Sequence, residues 1–396
     1  MKEISACEVC DSAVLVPVLD IGVSPLCDDL IPIGSHSTSK NYPIEILLCP
    51  ICSTAHQRFQ VAREDLFLPT YHYRARMTGS VIKGMEDFVD QCEKRFGSLF
   101  GKSVLDVGCN DGSLLNIFRE RGCITIGIEP TDAADDSEHL TIKKFFDAEA
   151  RDEVLRAIGK PDIITFTNVF AHIDDLNLLL ENLRSLIGPS TKIVIENHYL
   201  GAVLKYGQFD TFYHEHPRTY SAKSFEFIAR KLGLALLDIE FVSRYGGNVR
   251  AFLGHGEKSM TLQPEMDFEA GFKKMDAWLK EWIPATKTRL KNLVQESGKL
   301  AAKAFPGRAS IILKVLGVDE SILSAVYEIH GSQKVGHYVP GTRIPILPER
   351  VLFELDPQPS QILNLAWHIP SEVQANLTKN GFAGKMISLR PFEPII

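Results

Sequence analysis

The densest chemistry in this sequence lies in Tyr213-His214-Glu215-His216, where a phenol, two imidazoles and a carboxylate are consecutive. Such groups make poor core material, because each polar head must find a partner or lose its hydration. They suit proton abstraction instead. A His near its ordinary pKa takes a proton at neutral pH, and a neighbouring acid and phenol can orient and tune it. The competing reading is a solvated loop that happens to be rich in His. Against it, the run follows an apolar strand, Lys192 to Glu196, with Asn197, His198 and Tyr199 directly after that strand. Open α/β sheets hold their ligands at such strand ends.

A second constellation is Asp106-Val107-Gly108-Cys109-Asn110-Asp111-Gly112, set between the apolar strand that begins at Val104 and the helical stretch Ser113 to Arg121. Glycines there permit positive φ and close approach of a ligand to the backbone. The loop lacks the spacing of a dinucleotide fingerprint and the Lys-Ser/Thr of a phosphate loop. It carries acids on either side instead. That suits a nucleoside attached to a zwitterionic amino acid, as in S-adenosylmethionine, with Asp106, Gly108, Asn110 and Gly112 as contacts. Glu129, at the tip of the next strand (Ile124 to Ile128), is placed to accept both ribose hydroxyls. A tight turn capped by Glu129 is the plainer reading, and order and spacing together favour the cofactor.

Four of the eight cysteines form two close pairs, Cys7-x-x-Cys10 and Cys49-x-x-Cys52. A redox site needs one such pair beside a βαβ unit, and neither pair has one. Two knuckles closing around one tetrahedral zinc fit better, although the gap between the pairs is longer than in compact ribbons. A small domain with little core needs such a staple. Four sulfur ligands close the coordination sphere, so this zinc is structural rather than catalytic.

These sites need elements to hold them. Residues 1–70 are short and turn-rich and read as the zinc-binding domain. Residues 71–285 alternate strand and helix: strands at Val104–Val107, Ile124–Ile128, Asp162–Phe166 and Lys192–Ile195, with helix at Leu176–Ile187. Repeated βα units predict a mostly parallel sheet with helices on both faces, a Rossmann-like domain. Residues 286–396 begin within a helical run spanning Phe268 to Phe305. They contain the apolar stretches Ala309–Leu313 and Ala325–Glu328, a turn-rich Val339–Ile346 and a buried-strand pattern at Gln361–Trp367. A second, smaller α/β sheet is expected. The fold class is therefore α/β in three domains, with no internal repeat and no long low-complexity tract.

With 396 residues, 45% hydrophobic and 23% charged, core is ample. A net charge of -7 and a pI near 6.0 supply no global basic field for nucleic acid or an anionic membrane. No apolar run approaches the ~20 residues of a membrane span, and the N-terminus lacks the apolar stretch of a signal peptide. The expectation is a cytoplasmic protein; nothing demands an oligomer, so monomer is the default.

The two Cys-x-x-Cys pairs, Asp106 to Gly112, Asn168-Val169-Phe170-Ala171-His172, Phe209 to His216 and Lys334 to Ile346 together resemble a known family, over nearly the whole length. It is the zinc-containing sugar C-methyltransferases that build branched deoxysugars on nucleotide carriers. The resemblance implies C3 methylation of a nucleotide-linked 4-keto-6-deoxyhexose, on a thymidine or guanosine diphosphate, through an enolate. It further implies His216 as the base, Glu215 orienting it and Tyr213 donating to the developing oxyanion. His172 takes a supporting acid/base role, or else merely precedes the helix that Asp174-Asp175 begins. Asn168 and Tyr73 become cofactor contacts and Tyr71 a substrate contact, with hinge packing as the alternative for the two tyrosines. Asn197 and His198 fall where the family holds its sugar. Lys334, Tyr338 and Arg343 become diphosphate or base contacts, or solvated loop residues. Two stretches depart from the family pattern: Ala304-Phe305-Pro306-Gly307-Arg308 stands where a Gly- and Lys-containing loop is expected, and Asn197-His198-Tyr199 where a Pro-containing stretch is expected. Both touch the substrate side. An O- or N-methyltransferase would also use His216, and a zinc-ribbon scaffold without activity is the remaining alternative.

Overall fold

The computed structural model describes residues 1–67, 73–256, 262–390 and 393–396. Its middle layer is a seven-stranded sheet in the order Ala235–Val242, Asn248–Gly254, Lys192–His198, Ile163–Thr167, Ser103–Val107, Ile124–Ile128, Leu140–Ile142. From Lys192–His198 to the Leu140–Ile142 edge all pairings are parallel, and Asn248–Gly254 runs antiparallel to both its neighbours. Ser103–Val107 is central, and Val104, Leu105 and Val107 are buried, as a strand covered on both faces requires. The order reverses between Ser103–Val107 and Ile163–Thr167, so the chain leaves these neighbours in opposite directions and opens a crevice beyond their C-terminal ends.

Three helices around this sheet have side-chain N-caps. Asp147 accepts from Ala150 N–H and Asp175 from Leu178 N–H, and Ser221 and Ser224 form a capping box. The cap of Leu176–Leu186 is thus Asp175, three residues beyond His172.

The third domain repeats the device on a smaller scale. Its five-stranded sheet is wholly parallel, in the order Ile346–Pro348, Leu323–Glu328, Leu300–Lys303, Gln361–Asn364, Lys385–Ser388. Its reversal lies between Leu300–Lys303 and Gln361–Asn364. The long helix covers Phe268–Ser297 and passes without a break through residue 285, where the sequence places a domain boundary, and it contains Pro284. It stops at Ser297 rather than Phe305, because Gly298 adopts φ 76° and Leu300–Lys303 becomes a strand. Ala309–Leu316 is a helix.

The first domain is an antiparallel sheet of Val16–Pro25, Asn41–Leu48 and Ala55–Gln57, completed by Arg218–Thr219 from the middle domain. Ile31–Pro32 pairs with His337–Tyr338 of the third domain. Leu19, Ile44 and Ile46 share one continuous core with Phe209, Phe212, Phe272, Ile312 and Val326. All three domains therefore meet in one apolar cluster. Among the described residues, no helix is long and apolar enough to cross a membrane.

Candidate active site and metal site

In the first domain the Sγ atoms of Cys7, Cys10, Cys49 and Cys52 lie within 4.8 Å of one another, with Cys7–Cys52 at 3.4 Å and Cys10–Cys49 at 3.5 Å. A tetrahedron of zinc–sulfur bonds near 2.3 Å puts sulfurs about 3.8 Å apart. The two knuckles have the same build. Cys7 N–H donates to Ser12 O and Asp11 N–H to Cys7 O; Cys49 N–H donates to Thr54 O and Ser53 N–H to Cys49 O. Asp11 and Ser53 hold φ of 62° and 57°, the strained turn that brings both thiols of each pair to one side. His56 Nε2 at 3.3 Å from Cys7 Sγ and Thr54 Oγ1 at 3.1 Å from Cys52 Sγ complete the surroundings. This donor set fits structural zinc.

A cavity of about 980 Å³ lies between the middle and third domains, and Cys27, Asp28, Arg63 and Phe67 of the first domain also reach it. Asp106, Gly108, Asn110, Glu129 and Asn168 line one half. Asn110 and Asn168 are left-handed, with φ of 51° and 56°. Gly108 has φ 74°, and a Cβ there would meet Val169 Cγ2 at 2.5 Å, so no other residue keeps this approach open. Glu129 accepts from Asn110 N–H at 3.1 Å, and its other oxygen accepts from Thr131 N–H and Oγ1–H at 3.0 and 2.6 Å. Thr165 Oγ1–H donates to Asp106 at 2.7 Å. Burial and the Glu129 charge push the Asp106 carboxyl up to about 7, a state that a bound ammonium would relieve. Gly112 is the N-cap of Ser113–Glu120 and lies off the cavity. Tyr73 lines the cavity, and its hydroxyl lies 3.3 Å from that of Tyr245. Tyr71 falls outside the described residues.

The other half holds the titratable cluster. His216 Nδ1 is 3.0 Å from the Thr211 carbonyl oxygen. A carbonyl only accepts, so that nitrogen carries the proton and Nε2 keeps its lone pair. His172 Nε2 is 3.1 Å away and donates to it. The remaining nitrogen of His172, Nδ1, faces Glu215 Oε2 at 3.9 Å. Two histidines 44 residues apart thus form one hydrogen-bonded unit. Burial holds His172 down to about 4; burial together with His172 and His198 holds His216 well below the usual imidazole range. Both are neutral at pH 7 and able to accept. Tyr213 packs its ring 4.2 Å from His216, centroid to centroid, and burial followed by the Glu215 charge raises its hydroxyl. It stays protonated, as a donor must.

His214 points away: its Nε2 meets the Tyr42 carbonyl at 3.2 Å. His198 lines the cavity, while Asn197 is buried off it, since neighbours on a strand face opposite ways. Lys334 lines the cavity and donates to Phe305 O at 2.7 Å. Tyr338 and Arg343 lie elsewhere. Arg343 donates to Ser35 O and Ser37 O, and Tyr338 OH accepts from Gly34 N–H at 3.3 Å. Both fasten the third domain to a loop of the first, because the pairing with Ile31–Pro32 carries them there.

Sequence reading assigned no role to Arg308, His368 or Arg244, all of which line the cavity. Arg308 follows Leu300–Lys303 and His368 follows Gln361–Asn364, so both mark the reversal of the second sheet. The strand-end rule that singles out Asp106 to Gly112, applied to that sheet, points to these two residues as well.

Family models match the chain in three consecutive pieces: a zinc binding domain over residues 7–67, a methyltransferase domain over 73–239 and a C-methyltransferase C-terminal domain over 244–389. C-methyltransferase NovU of Streptomyces niveus is 25% identical across 95% of this chain and 93% of its own length. A ubiquinone biosynthesis O-methyltransferase of Coxiella burnetii is 27% identical over 24% of this chain and 43% of its own. Among solved structures, magnesium protoporphyrin IX methyltransferase from Synechocystis PCC 6803 with bound SAH is 13% identical. It has a TM-score of 0.35 and covers 44% of this chain and 83% of that one. PH0226 protein from Pyrococcus horikoshii OT3 has a TM-score of 0.36 at 16% identity, covering 46% and 95%. With zinc-binding, methyltransferase and C-methyltransferase C-terminal domains present in that order, this chain belongs to the zinc-containing, S-adenosylmethionine-dependent C-methyltransferases.

Proposed function

We propose that the chain methylates C3 of a nucleotide-linked 4-keto-6-deoxyhexose by way of an enolate, in the making of a branched deoxysugar. The observation that carries this reading is the neutral His216–His172 pair with Glu215 behind it and Tyr213 against it, in the same cavity as the Asp106–Glu129 donor site. A hydroxyl nucleophile carries its own lone pairs. A carbon nucleophile must be created by removing a proton, which calls for a strong acceptor and a partner for the displaced charge.

When bound, S-adenosylmethionine supplies a methyl group as a cation equivalent, its sulfur keeping the bonding pair. Asp106 would hold its ammonium and Glu129 its ribose, with Asn168 and Tyr73 beside them. On the substrate side His216 Nε2 takes the C3 proton as its bond to His172 opens. The Thr211 carbonyl fixes the resulting imidazolium through Nδ1–H, and Tyr213 donates toward the C4 oxygen. His198 and Lys334 contact the sugar and its diphosphate.

The test is solvent deuterium exchange. With S-adenosylhomocysteine in the donor site, a panel of thymidine- and guanosine-diphosphate 4-keto-6-deoxyhexoses in D2O should contain a sugar that gains one deuteron next to its keto group. The same sugar should gain one methyl when S-adenosylmethionine is supplied. Methylation of a hydroxyl, with no exchange at carbon, would refute the enolate.

A further inference from the structure

The geometry points to Arg308, from the third domain, as a catalytic residue that holds the enolate oxygen during proton abstraction, an inference that rests on the carbon-methylation reading above. Two guanidiniums, Arg308 and Arg390, converge on one buried carboxylate. Arg308 Nε lies 3.4 Å from Asp210 Oδ2 and Arg390 Nη1 lies 3.2 Å from Asp210 Oδ1. Trp367 Nε1–H also donates to Asp210, at 2.8 Å. Among the described residues, Asp210 is the one acid that either guanidinium pairs with. This knot therefore carries one positive charge more than it can neutralise. All three side chains are more than nine-tenths buried. A buried, uncompensated cation is costly, and it becomes favourable only when an anion arrives or forms beside it. Burial first, and the Arg308 charge after it, push Arg390 down to about 10 against the raising effect of the Asp210 charge.

Position says which anion. Arg308 lines the cavity, donates through Nη1 to Thr211 Oγ1 at 3.1 Å, and keeps Nη2 without a hydrogen-bond partner. The carbonyl of that same Thr211 takes the Nδ1 proton of His216. One residue thus fixes both the base and the guanidinium, and the Arg308 charge is felt at His216, His198 and Tyr213. The ring of Trp367, 4.6 Å from the Arg308 guanidinium carbon, holds its plane. In the step itself the C3–H bond breaks and its proton goes to His216 Nε2. The C–H pair becomes the enolate double bond, and the carbonyl π pair settles on the C4 oxygen. That oxygen gains negative charge only in this step, so an Arg308 Nη2–H bond to it lowers the barrier more than it tightens binding.

The experiment is the same exchange reaction, run at saturating ketosugar on wild type, Arg308→Gln and Arg308→Lys, with donor affinity measured by calorimetry. Arg308→Gln should bind S-adenosylmethionine as wild type does, because the donor half belongs to the other sheet. Its exchange and kcat should fall by about 10²-fold or more, with KM moved far less. Raised KM with a wild-type exchange rate at saturation would overturn the assignment and make Arg308 a diphosphate anchor. If the Gln variant fails to bind donor, the Lys variant decides. It keeps the charge without the fork, so at least a tenfold loss at saturation supports the role and an unchanged rate overturns it. Absence of exchange by wild type across the whole panel would instead bring down the carbon reading itself.

Discussion

At the scale of single residues the cleft is defined by imidazoles kept uncharged. His216→Asn retains much of the side-chain shape and removes the proposed base, so donor affinity should survive in calorimetry while turnover falls by about 10²-fold or more. A variant near the wild-type rate would transfer the role to His172, its partner at 3.1 Å. The pH dependence follows from the same burial. His172, His198, His214, His216 and His368 all sit below the usual imidazole pKa in the folded chain, His172 and His214 at about 4. Near pH 7 and above, folded and unfolded chains bind the same protons at these sites. As pH falls below about 6.5 the unfolded chain takes up protons that the folded one refuses, so stability drops toward pH 4. Melting temperature measured from pH 7.5 to 5 should fall progressively. The acid limb of kcat/KM should lie well below 6.5, and a limb centred at 6.5 would mean a solvated base.

At the scale of elements, the donor site proposed above rests on the convergence of a strand end, a left-handed glycine and the tip of the next strand. Glu129→Ala removes the proposed ribose acceptor and the bond to Asn110 N–H. Binding of S-adenosylmethionine should weaken by roughly 1.5–3 kcal/mol by calorimetry; unchanged affinity would place the ribose elsewhere. That Asp106, Gly108, Asn110 and Glu129 share one wall of the cavity follows from local signals in the sequence: glycine spacing, a strand before it, an acid after the next strand. The cysteine pairs were legible for the same reason. His172 and His216 could be named, but their pairing depends on how Phe170–His172 and the segment after Phe209–Thr211 pack, which no spacing encodes. Arg343 was misleading for a physical reason. A cation beside a Pro-Gly turn has the composition of a phosphate contact, and only the pairing of His337–Tyr338 with Ile31–Pro32 shows it bonded to backbone carbonyls of the first domain. Arg308 ends the stretch Ala304 to Arg308, which the sequence marks only as a departure on the substrate side, and the order of strands in the second sheet brings it to the cavity.

At the scale of the whole molecule, the four cysteines sit in a domain that also sends Cys27, Asp28 and Arg63 to the cavity. Cys49→Ser should release about one metal per chain, measured by atomic absorption, and lower the melting temperature, since metal binding in such modules is folding free energy. Full stability with no metal in the wild type would contradict this. Strands of that domain also pair with strands made much later: Arg218–Thr219 closes the edge of its sheet, and His337–Tyr338 forms a separate two-stranded sheet with Ile31–Pro32. A ribosome adding about 5–20 residues per second therefore leaves the first domain without its last partner for roughly 15–60 s. Until Phe209, Phe212 and Phe272 emerge, Leu19, Ile44, Ile46 and Leu48 lack these partners in the shared core, and Ile312 and Val326 come later still. The cysteine knuckles, complete once Cys52 is made, are the part of the nascent chain able to take a fixed shape at once. Metal supply during translation should then govern yield. Synthesis under chelation should give aggregated chain that later zinc recovers poorly, whereas chelating the finished protein should leave a larger share recoverable.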